Sequence, residues 1–235
     1  MKIIILAAGL GSRLGLGIPK ALVPVDEQRS ILDHQLAALT KFCPLENIYV
    51  VVGYRKEMII DRYPDLTFVY NHRYLETNTS QSLLKALTRT VGSDTIWING
   101  DVYFEPEVIR RVVEFPGSCI AVNTSRVADE EVKYTVDGRG YINQISKSVK
   151  NGLGEAVGVN KIAASDQQFL LHGLLQCGDN DYFEAGVERA LSQISFAPVD
   201  ISDLSCLEID FQQDLANARR LASLSAAPAP LAARG

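Results

Sequence analysis

The 235-residue sequence predicts an α/β fold: a mostly parallel sheet in a three-layer α/β/α arrangement. Three observations carry this. Short uninterrupted apolar runs rich in β-branched residues occur at Lys2 to Leu6, Ile48 to Val52, Thr67 to Tyr70, Thr95 to Ile98 and Cys119 to Val122, as strands buried on both faces require. Segments of helical spacing separate the first four runs, and that alternation implies right-handed crossovers between parallel strands. Finally, 47% hydrophobic and 22% charged residues are the ordinary mix of a globular chain long enough to bury a core without staples.

The first strand begins at Lys2. Its apolar run resembles a signal peptide, but it is too short and gives way to Gly9, Gly11, Ser12 and Arg13 where such a segment would continue. No later stretch approaches the ~20 apolar residues that span a bilayer, so a cytoplasmic protein without membrane contact is expected. Ile31, Leu32, Gln35, Leu36 and Leu39 form one face of a first helix, and Leu83, Leu84 and Leu87 one face of another over Ser82 to Thr90. After Val122 the texture changes. Val132 to Val136, the turn Asp137-Gly138-Arg139-Gly140 and Tyr141 to Ile145 read as a β-hairpin. Helices follow near Ala164 to Gln176 and Tyr182 to Gln193, then strands around Ala197 to Val199 and Cys206 to Glu208. A last helix runs from Asp210, able to cap it, to Leu221. Residues 1–222 are expected to work as one unit with a smaller subdomain at about 123–200, and the Ala/Pro-rich residues 223–235 as a disordered tail.

Composition excludes several functions. A net charge of -5 argues against holding nucleic acid, which needs a concentrated surplus of Lys and Arg. Cys43, Cys119, Cys177 and Cys206 lie far apart with no C-x-x-C, and His34, His72 and His172 lack ligand spacing. Oxygen ligands are left for any metal, which favours magnesium over zinc. Nothing in these residues reports an oligomeric state.

The strongest local signal is Leu6-Ala7-Ala8-Gly9-Leu10-Gly11-Ser12-Arg13, followed by Pro19-Lys20-Ala21-Leu22. A strand ending in small residues and glycines lets backbone N–H groups approach a phosphate, and Arg13 and Lys20 add positive charge. It is neither G-x-G-x-x-G, since Leu14 replaces the third glycine, nor a P-loop. The pattern L-A-A-G-x-G-x-R…P-K-A-L resembles the signature of the nucleotidyltransferase superfamily that activates sugar phosphates, phosphocholine and phosphonates. The resemblance runs to about Leu221. It implies a Rossmann-like sheet with an added acceptor-binding subdomain, and transfer of a nucleoside monophosphate from an NTP to a phosphate or phosphonate oxygen.

Further motifs fit that resemblance. Trp97-Ile98-Asn99-Gly100-Asp101 is an apolar strand ending in Gly-Asp, and a carboxylate at such a tip projects into the ligand crevice. The resemblance makes Asp101 a ligand of the catalytic Mg²⁺, with Gly100 beside the nucleotide. A second acidic position comes from Glu208-Ile209-Asp210, where strand alternation puts both carboxylates on one face and Asp210 matches better. Tyr74 to Leu83 is a polar loop entering a helix, whose Asn and Ser groups read a base or cap the helix equally well. It resembles the base loop of cytidylyltransferases, with Ser82 and Asn78 as contacts, and lacks the Gln-Pro of dTTP and UTP enzymes, which points to CTP. Lys147, after the hairpin, matches a lysine at the reacting phosphoryl groups. Lys133, Arg126, Lys150, Glu155 and Glu184 fall where relatives build the acceptor pocket.

The acceptor's anionic oxygen is already a nucleophile, so no general base is needed and catalysis reduces to alignment and charge neutralisation. Arg126, Lys133 and Lys150 suit a small phosphonate of the phosphonoformate type. Phosphocholine, with Tyr134, Tyr141, Tyr182 and Phe183 as a partial cage and Glu184 as the acid, is an alternative. A sugar 1-phosphate is another, and outside enzymes a catalytically silent nucleotide-binding module.

Overall fold

The computed structural model describes residues 1–125 and 131–225. Strand β1 (Lys2–Ala7) buries Ile3, Ile4 and Ile5 completely, as a strand covered on both faces must. Helix α1 (Ile31–Leu39) starts where Ser30 and Asp33 exchange side-chain and backbone hydrogen bonds, a reciprocal cap that satisfies two N–H groups. The alternation continues through β2 (Ile48–Val52), α2 (Lys56–Arg62), β3 (Thr67–Tyr70), α3 (Thr79–Leu87) and β4 (Thr95–Asn99). Strands β4, β1, β2 and β3 pair side by side in parallel. Their carboxyl ends therefore share one rim.

The remaining elements are β5 (Val102–Phe104), α4 (Pro106–Glu114), β6 (Cys119–Asn123), β7 (Lys133–Val136), β8 (Ile142–Ser146), β9 (Gly154–Ile162), α5 (Gln167–Leu175), α6 (Phe183–Ala190), β10 (Ala197–Asp200), β11 (Cys206–Glu208) and α7 (Gln212–Ser225). The sheet order is β10-β6-β9-β4-β1-β2-β3, with the hairpin β7–β8 attached through β9. Strand β9 runs antiparallel to both β4 and β6, while β10 is parallel to β6. The sheet is thus mostly parallel, as expected. Helices cover both faces: Ile3, Ile5 and Ile98 pack with Leu32 and Leu39 of α1 and Val108 of α4, whereas Ile4, Leu6 and Trp97 pack with α3, α5 and α6. A third apolar cluster joins Leu14, Val23 and Val25 to Leu215, Ala218 and Ala222 of α7.

Three readings are corrected. The sequence offered no strand at 154–162, yet β9 sits between β4 and β6, with Asn160 and Lys161 buried. The amphipathic α4 also went unread, and Lys161 Nζ donates to two carbonyls at its end, Val113 at 3.0 Å and Phe115 at 2.7 Å. Asp210 does not cap the last helix. The carboxylate that accepts the Asp210 and Phe211 N–H groups belongs to Asp214, and the Asp210 side chain turns instead to basic partners. Among the described residues no helix is long and apolar enough to cross a membrane. The expected tail lies outside them from residue 226, and α7 continues through Ser225.

Candidate active site

Leu6, Ala7 and Ala8 bring β1 to the rim, buried throughout. Beyond Gly9 the chain makes a one-turn 3-10 segment over Ser12–Leu14, anchored by the buried Leu14, and a second over Lys20–Leu22. Gly11 joins the two: its φ of +61° suits glycine, and a Cβ there would stand 2.8 Å from Lys20 Cγ. The glycine is what lets the loop fold against Lys20.

Strand β4 ends beside β1. The Gly100 N–H donates to Leu6 O at 2.9 Å, and a Cβ on Gly100 would come 2.8 Å from that oxygen. Asp101 follows, and its carbonyl accepts the Ile209 N–H at 3.0 Å, which ties the end of β11 to the end of β4. Carboxylate oxygens of Asp101, Glu208 and Asp210 consequently gather within 4.8 Å of one another. Lys20 Nζ lies 2.9 Å from Asp101 Oδ2 and also bonds Asp210, whose other oxygen accepts from Arg13 Nη1. Burial alone lowers the Lys20 pKa, but the two aspartates outweigh it and hold the ammonium above its usual value. Desolvation, with the charges of Asp101 and Asp210 adding to it, holds the Glu208 carboxyl above its ordinary range. Three crowded carboxylates need positive charge, and an all-oxygen donor set fits a hard divalent ion.

Around α3, the Asn78 side chain accepts from the Thr79 N–H at 2.8 Å and donates to Asn180 O at 3.4 Å. Ser82 is buried and its Oγ accepts from Asn71 Nδ2 at 3.0 Å. Asn71, fully buried, donates also to Thr77 Oγ1 and so organises the whole loop. Sequence reasoning did not single it out. A lone Asn after a strand carries no spacing that marks it.

The hairpin β7–β8 and α6 carry the remaining candidates. Lys147, exposed just past β8, holds its Nζ 5.5 Å over the Tyr182 ring. Lys133 stands across from Ser146 and across from Glu155 in β9, so the acceptor candidates of β7 and β9 are neighbours. Glu184 lies in the first turn of α6 with its Oε2 buried and unpartnered among the described residues. Burial pushes its carboxyl up to about 7, against the opposing pull of its own N–H and of Lys147. Arg126 falls outside the described residues.

The chain is similar to several known proteins. The chain is 31% identical over 170 residues to the bifunctional protein GlmU of Methanococcus maripaludis, which covers 70% of this chain and 39% of that protein. GlmU of Francisella tularensis subsp. novicida is 32% identical over 117 residues, 48% of this chain and 25% of that protein. The chain thus spans about two fifths or less of the length of these relatives. Among solved structures, the CTP:phosphocholine cytidylyltransferase of Streptococcus pneumoniae superposes with a TM-score of 0.76 at 22% identity, covering 94% of this chain and 98% of that one. A putative glucose-1-phosphate thymidylyltransferase of Bacillus anthracis gives 0.75 at 17% identity, covering 94% and 95%. The inositol-1-phosphate CTP transferase of T. maritima gives 0.74 at 18%, covering 94% of each. These structures share the fold. The family model of the MobA-like NTP transferase domain matches residues 3–169, which take in the glycine loop, Lys20, the base loop and Asp101, and the chain therefore belongs to that family and is a nucleotidyltransferase.

Proposed function

We propose that the chain transfers CMP from CTP to a small phosphate- or phosphonate-bearing acceptor, with Mg²⁺ held by Asp101, Glu208 and Asp210. The observation that carries this is the convergence of Lys20 and Arg13 on those carboxylates at the carboxyl end of the sheet. When bound, a divalent ion there supplies charge neutralisation at phosphate oxygens. Lys20 and Arg13 exchange their carboxylate partners for phosphate oxygens of the nucleotide, and the loop at Gly9 to Ser12 presents backbone N–H groups beside them. Lys147 approaches from the hairpin side to meet the acceptor. An anionic acceptor oxygen forms its bond to the α-phosphorus in line with the bridging oxygen, which leaves with the bonding electron pair as pyrophosphate. No proton has to be removed. The base rests at Thr77 to Ser82, where Asn71 orders donors and acceptors suited to a cytosine edge.

For the acceptor, a small phosphonate of the phosphonoformate type is supported by Lys133 and Lys147 at one end of the hairpin, with Lys150 in the turn beyond. Phosphocholine is a second reading, favoured by one observation: the buried Glu184 Oε2, without a hydrogen-bond partner among the described residues and next in sequence to Tyr182 and Phe183, suits a cationic head group. Pyrophosphate release with each NTP against phosphonates, phosphocholine and sugar 1-phosphates tests both. Release confined to CTP with a phosphonate supports the first reading, and release with CTP and phosphocholine the second. Turnover that prefers UTP or dTTP with a sugar phosphate overturns the cytidylyl assignment.

A further inference from the structure

Helix α1 carries one polar residue on its inward face. Gln35 is 1% exposed, flanked by the fully buried Leu32 and Leu39. A buried amide is costly unless its hydrogen bonds are made, so its partners define its use. Gln35 Nε2 donates to Asn99 O at 2.9 Å and to Val102 O at 2.8 Å. Its Oε1 has no partner among the described residues, so these two carbonyls receive everything the side chain gives.

Those carbonyls bracket Gly100-Asp101. The chain leaves the main sheet at Asn99 and starts the small ribbon with β11 at Val102, so the turn between belongs to neither ladder. Two backbone bonds pin its other side, from the Gly100 N–H to Leu6 O and from the Ile209 N–H to Asp101 O. Gln35 closes the remaining side from beneath. We infer that Gln35 is a positioning residue for Asp101: its two N–H groups hold the turn so that the carboxylate faces Glu208, Asp210 and Lys20, and so set the affinity for the divalent ion. The inference rests on the metal reading above. Hydrogen bonds behind a ligating carboxylate commonly tune metal affinity by about 10- to 100-fold.

The test is Mn²⁺ binding to the full chain without nucleotide, read by electron paramagnetic resonance, for wild type, Gln35→Met and Leu36→Ala. Met fills the space but donates nothing, whereas Leu36→Ala loosens the same helix without touching the turn. Gln35→Met is expected to raise the Mn²⁺ Kd about tenfold or more, with turnover recovered by added Mg²⁺ and the CTP KM at saturating metal unchanged. Leu36→Ala is expected to lower Tm and leave the Mn²⁺ Kd as in wild type. Should Gln35→Met fail to fold, Gln35→Leu, which also donates nothing, takes its place. In the wild-type protein itself, the Gln35 side-chain amide protons are expected to shift during Mg²⁺ titration with the Asp101 backbone amide. A wild-type Mn²⁺ Kd in the Gln35 variants, an equal change in Leu36→Ala, or silent amide protons overturns the inference. A wild-type chain that takes no Mn²⁺ overturns the metal reading and the inference with it.

Discussion

Lys20 shows how a single residue serves two states of the site. With no phosphate present it neutralises Asp101 and Asp210, and its pKa stands above the usual value because of them. In the proposed reaction, phosphate oxygens of the nucleotide take over this ammonium where charge develops during transfer. Lys20→Ala is therefore expected to lower kcat by on the order of 10²-fold or more, with a smaller change in acceptor KM. Steady-state kinetics check this, and the opposite split contradicts the role. Glu184 has the reverse problem, a carboxyl oxygen, Oε2, buried with no hydrogen-bond partner among the described residues. Its pKa rises from the ordinary 4.5 to about 7 in the folded chain. Between those values the folded state keeps a proton that the unfolded state has released, so this group makes stability fall as pH rises through that window. Tm measured against pH is expected to fall less steeply there in Glu184→Gln. An unchanged slope contradicts the assignment. At this scale the sequence marked Arg13, Lys20, Asp101 and Asp210 as candidates by motif, and the structure brings them together. It gave no site role to Gln35, which entered only as a member of the first helix's inward face, or to Asn71.

Elements explain why some of the fold was legible and some was not. Strands β1, β2 and β4 are continuous apolar runs, because parallel strands under two helical layers have no polar face to show, whereas the edge strand β3 buries only Val69. Strand β9 is just as central, yet it reads Gly-Glu-Ala-Val-Gly-Val-Asn-Lys-Ile. Its glycines imitate a loop. Gly158 has φ +73° and sits where a Cβ would meet Asn99 Nδ2 at 2.8 Å, and the buried Lys161 is satisfied only by carbonyls distant in sequence. Long-range partners of that kind leave no local pattern. The start of α7 is a second case: Asp210 is the cap that the sequence suggests, and the structure gives the terminal N–H groups to Asp214 instead. Asp214 takes the cap and frees Asp210 for Lys20 and Arg13. Asp214→Ala is expected to cost about 1 kcal/mol of stability and to raise the Mg²⁺ needed for half-maximal turnover. Denaturant unfolding and a metal titration check the two effects, and a variant that loses stability alone contradicts the link between cap and site.

Across the whole molecule, the site is assembled from segments far apart in sequence: the loop after β1, the end of β4 and the end of β11. Helix α7 closes the assembly by packing Leu215, Ala218 and Ala222 against Leu14, Val23 and Val25 of the segment after β1. A chain ending at Ser225 is accordingly expected to match the full chain in kcat and Tm, whereas ending it at Phe211 removes α7 and is expected to abolish turnover. Full activity without α7 contradicts this architecture. Two basic residues, Arg13 and Lys20, meet the carboxylates at this rim in a chain whose net charge is -5. The central claim is that the carboxylate cluster at this rim, with Lys20, carries nucleotidyl transfer. Pyrophosphate release from CTP with saturating Mg²⁺ and the acceptor panel, wild type against Asp101→Ala, tests it most directly. The account predicts turnover in the wild-type chain and its loss in the variant; near-normal release by Asp101→Ala would contradict it.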